Sequence, residues 1–264
     1  MASFPEPAAL VRAPSDRLIE AELTHLARAP IDLELARAQH AGYVRLLSRL
    51  GLELVWLPPL PAHPDGVFVE DTVVIVDDTA VLMRPGARSR RGEVDSVAAA
   101  LVVRGYELRG IVAPGTADGG DVLQVGRTLY VGRTARTDEV AIEQLRGLVA
   151  TLGREVVTVP VTGVLHLKSA ATALPDGTIV AVPGCVPVGA FGEREVLPAP
   201  EPAGGDLLVV GEVVVVSAAA PRTAEFIHRR GFPVEVAEVS ELEKAEAGVT
   251  CMSVLLGTPV PGAD

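Results

Sequence analysis

Short apolar runs of four to six residues recur along almost the whole chain, each broken by Gly, Pro or charge. Two of them, VVIV (73–76) and VVVV (213–216), are uninterrupted and have the length of strands buried on both faces. The pattern predicts strands at 52–57, 72–76, 79–83, 107–112, 121–125, 128–131, 155–160, 178–182, 207–210, 213–217, 233–237 and 251–256. A helical period occupies the segment after Asp32, which reads as its N-cap. Apolar positions follow at Leu35, Ala38, Leu46 and Leu50, and Gly51 ends it. Further helices are predicted at about 91–103, 138–151, 222–230 and, briefly, 240–245. Strands and helices interleave throughout, which defines an α/β protein. No apolar run reaches the roughly 18 residues needed to cross a bilayer, so no membrane association is expected.

A repeat sharpens this picture. GGDVLQVG (119–126) and GGDLLVVG (204–211) agree at six of eight positions, 85 residues apart. Half that offset, about 42 residues, suits one supersecondary unit. Polar residues placed just ahead of apolar strands mark the same rhythm: Glu70 and Asp71, Asp118, His166, Asp206 and Cys251, at spacings of 48, 48, 40 and 45. Five units of strand, strand, helix, strand fill the chain. They predict a closed ring, because no unit could bury its apolar face alone. Corresponding strand ends would then converge on one axis, with carboxylates, an imidazole and a thiol around one point. An ordinary doubly wound sheet is the alternative, since Gly-Gly-Asp is also a good β-turn.

Composition narrows the function classes. Of 264 residues, 48% are hydrophobic but only 3% aromatic, and Gly and Pro number 26 and 21. This describes a turn-rich single domain spanning 1–264 with an aliphatic core, not a disordered chain, coiled coil or disulfide scaffold. A net charge of −11 argues against a nucleic-acid partner. Two cysteines, and an N-terminus (MASFPEPAAL) without a signal-peptide pattern, predict a reducing cytoplasmic setting.

The candidate chemistry sits at the repeat markers. Cys251, in GVTCMSVLL, shares its place in the repeat with His166 and Asp118, which favours a nucleophile over a core thiol. Cys185, among Pro and Gly in VPGCVPV, fits the core role better. His166 is the one histidine of five that opens an apolar strand, and an imidazole can act as acid and then as base. Asp118 could orient it. Asp65, Glu70 and Asp71 lie within seven residues, two of them against a strand. Buried like charges need a cationic guest, and a planar guanidinium suits paired carboxylates. A metal fits less well, because no second His is near and no liganding period is present. Arg90 and Arg136 stand 19 and 18 residues beyond Asp71 and Asp118, between a strand and a helix in successive units. Arginines there could grip an α-carboxylate. Acids for a guanidinium and arginines for a carboxylate describe an arginine-like amino acid.

The segments PDGVFVED, RPGARSRRGEVD, DGGDVLQVGRTLYVGRTART, LHLKS and SELEKAEAGVTCMSVLL, in order from about residue 30 to 257, resemble the dimethylarginine dimethylaminohydrolases. That resemblance implies the guanidino-group-modifying superfamily and its five-bladed α/β-propeller, the pentein fold. It implies Cys251 as nucleophile, His166 as general acid and base, and Asp118 as its partner. Asp71, Glu70 and Asp65 would take the guanidinium side, and Arg90 and Arg136 the α-carboxylate. Leu23 would belong to a lid within the N-terminal segment 1–30, and Ala245 would offer a backbone contact. The implied reaction turns Nω-methylated arginine into citrulline and an alkylamine through a Cys thiouronium, with no metal or cofactor. The segments 14–30 and 183–205 depart from the family pattern. An arginine deiminase-like hydrolase is the nearest alternative and a non-catalytic propeller binding module the more distant one. A homodimer remains open.

Overall fold

The protein is described over residues 6–263 of a computed structural model. The first five residues, which belong to the N-terminal segment and to the no-leader reading, lie outside the described residues. Five three-stranded sheets form a ring. β1 (Ala8–Val11) pairs in parallel with β2 (Glu53–Trp56), and α1 (Leu33–Arg49) connects them. The second unit contains β3 (Val73–Val76), β4 (Thr79–Leu82), α2 (Val94–Val103) and β5 (Glu107–Gly110). The third contains β6 (Val122–Val125), β7 (Thr128–Arg133), α3 (Glu139–Ala150) and β8 (Glu155–Pro160). In the fourth, the one-turn α4 (Leu167–Ala170) precedes β9 (Ala171–Ala173), β10 (Ile179–Ala181) and β11 (Val196–Pro198). The fifth contains β12 (Leu207–Val210), β13 (Val213–Ser217), α5 (Pro221–Arg229) and β14 (Val234–Ala237), with α6 (Ser240–Glu243) after it. Finally β15 (Val254–Leu256) returns to pair antiparallel with β1, so the first unit is assembled from both ends of the chain.

Each sheet repeats one rule. Its middle strand runs antiparallel to the unit's first strand and parallel to its last, β15 from the far end of the chain serving as first strand of the first unit. The antiparallel step needs only a tight hairpin, whereas the parallel step needs a crossover, hence the helix at that point. The fourth unit departs from this: a Pro/Gly-rich loop through 182–195 replaces the helix. The first strands of the units touch one another, as with β15 and β3, β6 and β9, and β9 and β12, so they line the axis.

The predicted caps hold. The Asp32 carboxylate accepts from Leu35 N at 3.0 Å, and Gly51 ends the helix with φ +89°. Of the predicted stripe, Leu46 is buried and Leu50 packs against the core, whereas Leu35 is 44% exposed and Ala38 is exposed; Ala36, His40, Tyr43, Val44 and Leu47 also point inward. The strands β1, β9 and β11 are additions to the predicted set. Two of them are only three residues long, and β1 is recognisable only through partners far along the chain. The helix predicted from 91 begins instead as a 3-10 turn, Arg88–Glu93, leading into α2.

Two details of the repeat are corrected. His166 does not open a strand but precedes α4, and Cys251 lies in a turn three residues ahead of β15. The polar markers share a turn rather than a position. Short helical turns at Val69–Thr72, Gly119–Asp121, α4 and Pro202–Gly205, and the bend at 249–252, each lead into a first strand. The markers occupy different corners of these turns. Among the described residues, no helix is long and apolar enough to cross a membrane.

Candidate active site

These turns converge at one end of the ring. His166 Nε2 lies 3.0 Å from Asp118 Oδ2, and His166 Nδ1 lies 3.7 Å from Asp71 Oδ1. Asp118 is wholly buried, and its other oxygen accepts from Gly86 N at 2.8 Å. Asp71 accepts from Gly120 N at 3.1 Å and pairs with Arg90 Nη1. Gly120 is required here: a Cβ would fall 2.6 Å from His166 Nδ1 and 2.8 Å from Asp71 Oδ1. Cys251 is 7% exposed, and its Sγ accepts from Gly248 N at 3.4 Å.

The charges are strongly coupled. Burial opposes ionisation of Asp71, but His166 and Arg90 hold its carboxyl down at about 2. Burial likewise opposes the imidazolium, but Asp71 and the hydrogen bond that His166 donates to Asp118 raise His166 to about 9. Cys251 moves the other way. Burial, with Asp206, Glu70 and Asp71 nearby, pushes the thiol well above its ordinary range. Asp65 is raised to about 6 by burial, against the pull of Arg90.

Cys251, His166, Asp71, Asp65, Arg90 and Arg136 line one pocket, and Ala245 joins them at its wall. The free space within it is only ≈ 10 Å³, about that of one water. An irregular strap from residue 21 to 28 is tied to it through several of the same groups. Glu22 N donates to both Asp65 oxygens at 3.2 Å, and Arg136 Nη2 donates to Thr24 Oγ1 at 3.1 Å. Glu246 accepts from the backbone of Thr24, His25 and Leu26. Leu23 lies in this strap, half-buried.

Two expected ligands sit differently from their sequence reading. Glu70 does not face this pocket. It pairs with Lys168 Nζ at 2.6 Å, accepts from Thr250 Oγ1 at 2.9 Å, and lines a separate axial cavity of ≈ 710 Å³. Arg90 is 3% exposed and engaged with Asp71, Glu93 (2.9 Å) and the Phe68 carbonyl (2.9 Å). Arg136 keeps the freer guanidinium, with Asp118 Oδ2 at 3.9 Å. Sequence reasoning did not find Glu93, which holds Arg90 within its own turn, nor Lys168 and Thr250, whose partners lie in other units. Asp71, Asp118 and His166 offer ligand atoms within 4.8 Å of one another, which could hold a metal ion. In this arrangement those atoms face Arg90, backbone N–H groups and each other.

A five-unit α/β ring with a buried Cys, a His–Asp pair and acids facing an arginine defines a cysteine-dependent enzyme of the pentein class. No protein-family model matches the chain. It is 44% identical over 254 residues to an N(G),N(G)-dimethylarginine dimethylaminohydrolase from Streptomyces coelicolor, covering 96% of this chain and 98% of that one. A Pseudomonas aeruginosa protein of the same name is 34% identical over 250 residues, with 93% and 97% coverage. A solved Pseudomonas aeruginosa structure of that enzyme, a Cys→Ser variant complexed with citrulline, superposes with TM-score 0.87 at 32% identity. It covers 96% of this chain and all of that one. A His→Gly variant of a dimethylarginine dimethylaminohydrolase, an adduct with S-methyl-L-thiocitrulline, gives TM-score 0.88 with the same identity and coverage. The chain belongs to the dimethylarginine dimethylaminohydrolase family.

Proposed function

We propose that this protein hydrolyses Nω-methylated L-arginine to L-citrulline and the corresponding methylamine. The observation that carries this reading is the grouping of Cys251, His166, Asp71 and Arg136 around one pocket, with Asp118 behind the imidazole. The guanidinium lies against Asp71, with Asp65 further along the pocket, and Arg136 takes the α-carboxylate. Arg90 acts through Asp71, which it keeps ionised. Glu70 acts from behind the nucleophile through Thr250. The strap that carries Leu23 covers the amino-acid end, and the Ala245 backbone contributes to its wall.

The charge arrangement suits a cationic substrate. In the substrate-free pocket the acids disfavour a thiolate at Cys251. An incoming guanidinium offsets those charges and favours it, the thiol proton passing to solvent as substrate binds, so the nucleophile is made where it is used. Sγ attacks the guanidinium carbon, forming a C–S bond. His166, raised to about 9 and so protonated at neutral pH, delivers its proton to the departing amine as the C–N bond breaks. The neutral imidazole then takes a proton from water, whose oxygen attacks the thiouronium carbon. The C–S bond then breaks, the hydroxyl proton of the intermediate passes through solvent back to Sγ, and citrulline leaves with the thiol restored. The reaction calls for no organic cofactor, and both cysteines are free, which fits a reducing cytoplasmic compartment.

Citrulline release from asymmetric dimethylarginine, arginine and agmatine tests the reading. Release from dimethylarginine at the highest kcat/KM supports it. Preference for arginine would reassign the chain to a deiminase-like reaction, and no citrulline from any of them would favour a binding module.

A further inference from the structure

The Gly-Gly-Asp pair that marks the repeat is not used by the chemistry above. Its two acids, Asp121 and Asp206, are buried, 0% and 7% exposed, and among the described residues neither pairs with a cation. Asp121 Oδ1 accepts from Leu167 N, the residue after His166, at 2.9 Å. Its Oδ2 accepts from Thr134 Oγ1 at 2.7 Å and Thr137 Oγ1 at 2.6 Å. Thr137 Oγ1 in turn accepts from Asp118 N at 3.2 Å. Asp206 Oδ1 accepts from Thr250 N, the residue before Cys251, at 3.0 Å, and its Oδ2 lies 3.3 Å from Thr250 Oγ1. Space is kept for this carboxylate, because a Cβ at Gly248 would fall 2.2 Å from its carboxyl carbon.

Asp71 makes the same reach, to Gly120 N, two residues beyond Asp118. In each case the acid of one unit holds the backbone of the turn that carries the next unit's catalytic group. The junction between the fourth and fifth units, where no catalytic group follows, is built differently. There Thr172 Oγ1 donates to Gly205 O at 2.9 Å and accepts from Leu207 N at 3.2 Å. A neutral hydroxyl therefore suffices to join two units. A buried carboxylate is costlier to desolvate, and its two oxygens fix a turn at more points.

We propose that Asp121 and Asp206 are positioning residues for His166 and Cys251. They act through the backbone of the adjoining turns and do not touch substrate. This rests on the hydrolase reading only for which groups are aimed.

The test compares D121A, D206A, their Asn counterparts and T172V. It measures Tm, kcat and KM on dimethylarginine, with active sites counted by alkylation of Cys251 read on its own peptide. Misplacing a reacting group by about 1 Å costs on the order of 10²-fold. D121A and D206A are expected to lose about that much kcat per alkylatable site, with KM changed less than about threefold. D121N and D206N retain an Oδ1 acceptor and should recover to within about tenfold of wild type. T172V should lower Tm while its kcat per site stays within about twofold. Should the Ala variants fail to fold, D121S and D206S are read in the same way. Wild-type kcat per site in the folded Ala or Ser variants would overturn the proposal, as would Asn variants no better than Ala. If wild type releases no citrulline, the hydrolase reading falls instead. The alkylation rate of Cys251 then carries the test: a rate in D206A equal to wild type overturns the positioning role, and an altered one restored by D206N supports it.

Discussion

Glu70 and Asp71 are adjacent in the chain and serve opposite ends of the ring. Asp71 faces the narrow pocket with Cys251 and His166, whereas Glu70 faces the ≈ 710 Å³ axial cavity and pairs with Lys168. Both lie in the 3-10 turn Val69–Thr72, whose successive side chains diverge by about 120°. Adjacency in such a turn therefore separates two carboxylates instead of pairing them. The consequence is electrostatic. Asp71, between an arginine and an imidazolium, is held at about 2 and stays charged for a cationic guest. Glu70 is neutralised by its own lysine, and it reaches the nucleophile's turn only through the Thr250 hydroxyl.

The largest expected effect belongs to the pocket end. Cys251→Ser should reduce turnover by about 10⁴-fold or more while leaving the far-UV circular dichroism unchanged. Retained citrulline release in that variant would remove the nucleophile assignment. The sharpest test of the two-ended picture is the neighbouring pair. Asp71→Asn should lower kcat/KM by about 10²-fold or more, because it removes the one carboxylate charge that stands between Arg90, His166 and the guest. Glu70→Gln should lower it by less than about tenfold and show mainly as a fall in Tm, since Lys168 is left without its partner. Equal losses from the two substitutions would mean that both acids face the substrate. Between those two falls Arg136→Ala, which should raise KM by about 10- to 100-fold with kcat within about threefold. That is the pattern of a contact remote from the bond that breaks.

The smallest effect is a gradual one, in the dependence of stability on pH. His166 stands at about 9 in the fold against an ordinary 6.5. Its stabilising charge is fully present below about pH 6.5 and is lost as pH rises through 9. Asp206, raised to about 7 chiefly by burial, and Asp65, raised to about 6, hold their protons more tightly in the fold than in the unfolded chain. Stability therefore also falls as they ionise, from about pH 4 to 7. Asp71 works in the opposite sense, contributing above its ordinary 3.8 and failing as pH drops through about 2. Thermal melts should accordingly give a higher Tm near pH 5 than near pH 9, by several degrees. D206N should flatten the lower part of that slope. A Tm that rises steadily over the same interval would contradict the charge states assigned to the pocket.

Periodicity and spacing marked the chain as α/β and pointed to five like units, with Cys251, His166 and Asp118 at corresponding turns, while leaving an ordinary doubly wound sheet open. Each of these is a local fact repeated along the chain. Apolar runs mark where strands are buried, Asp32 and Gly51 mark helix ends by their backbone chemistry, and GGD recurs because each copy makes the same turn. Only the tertiary structure decided which way each residue of a one-turn helix points. It separated Glu70 from Asp71, and it surrounded Arg90 with Asp71 and Glu93, where its sequence position suggested an open ligand site. It also revealed β1, a four-residue run whose strand identity depends on β15 and β2, nearly the whole chain and about 45 residues away. Sequence pattern records how a segment is buried. The direction of a side chain within a turn, and a partner strand at the other end of the chain, are set by packing between units, which no local pattern contains.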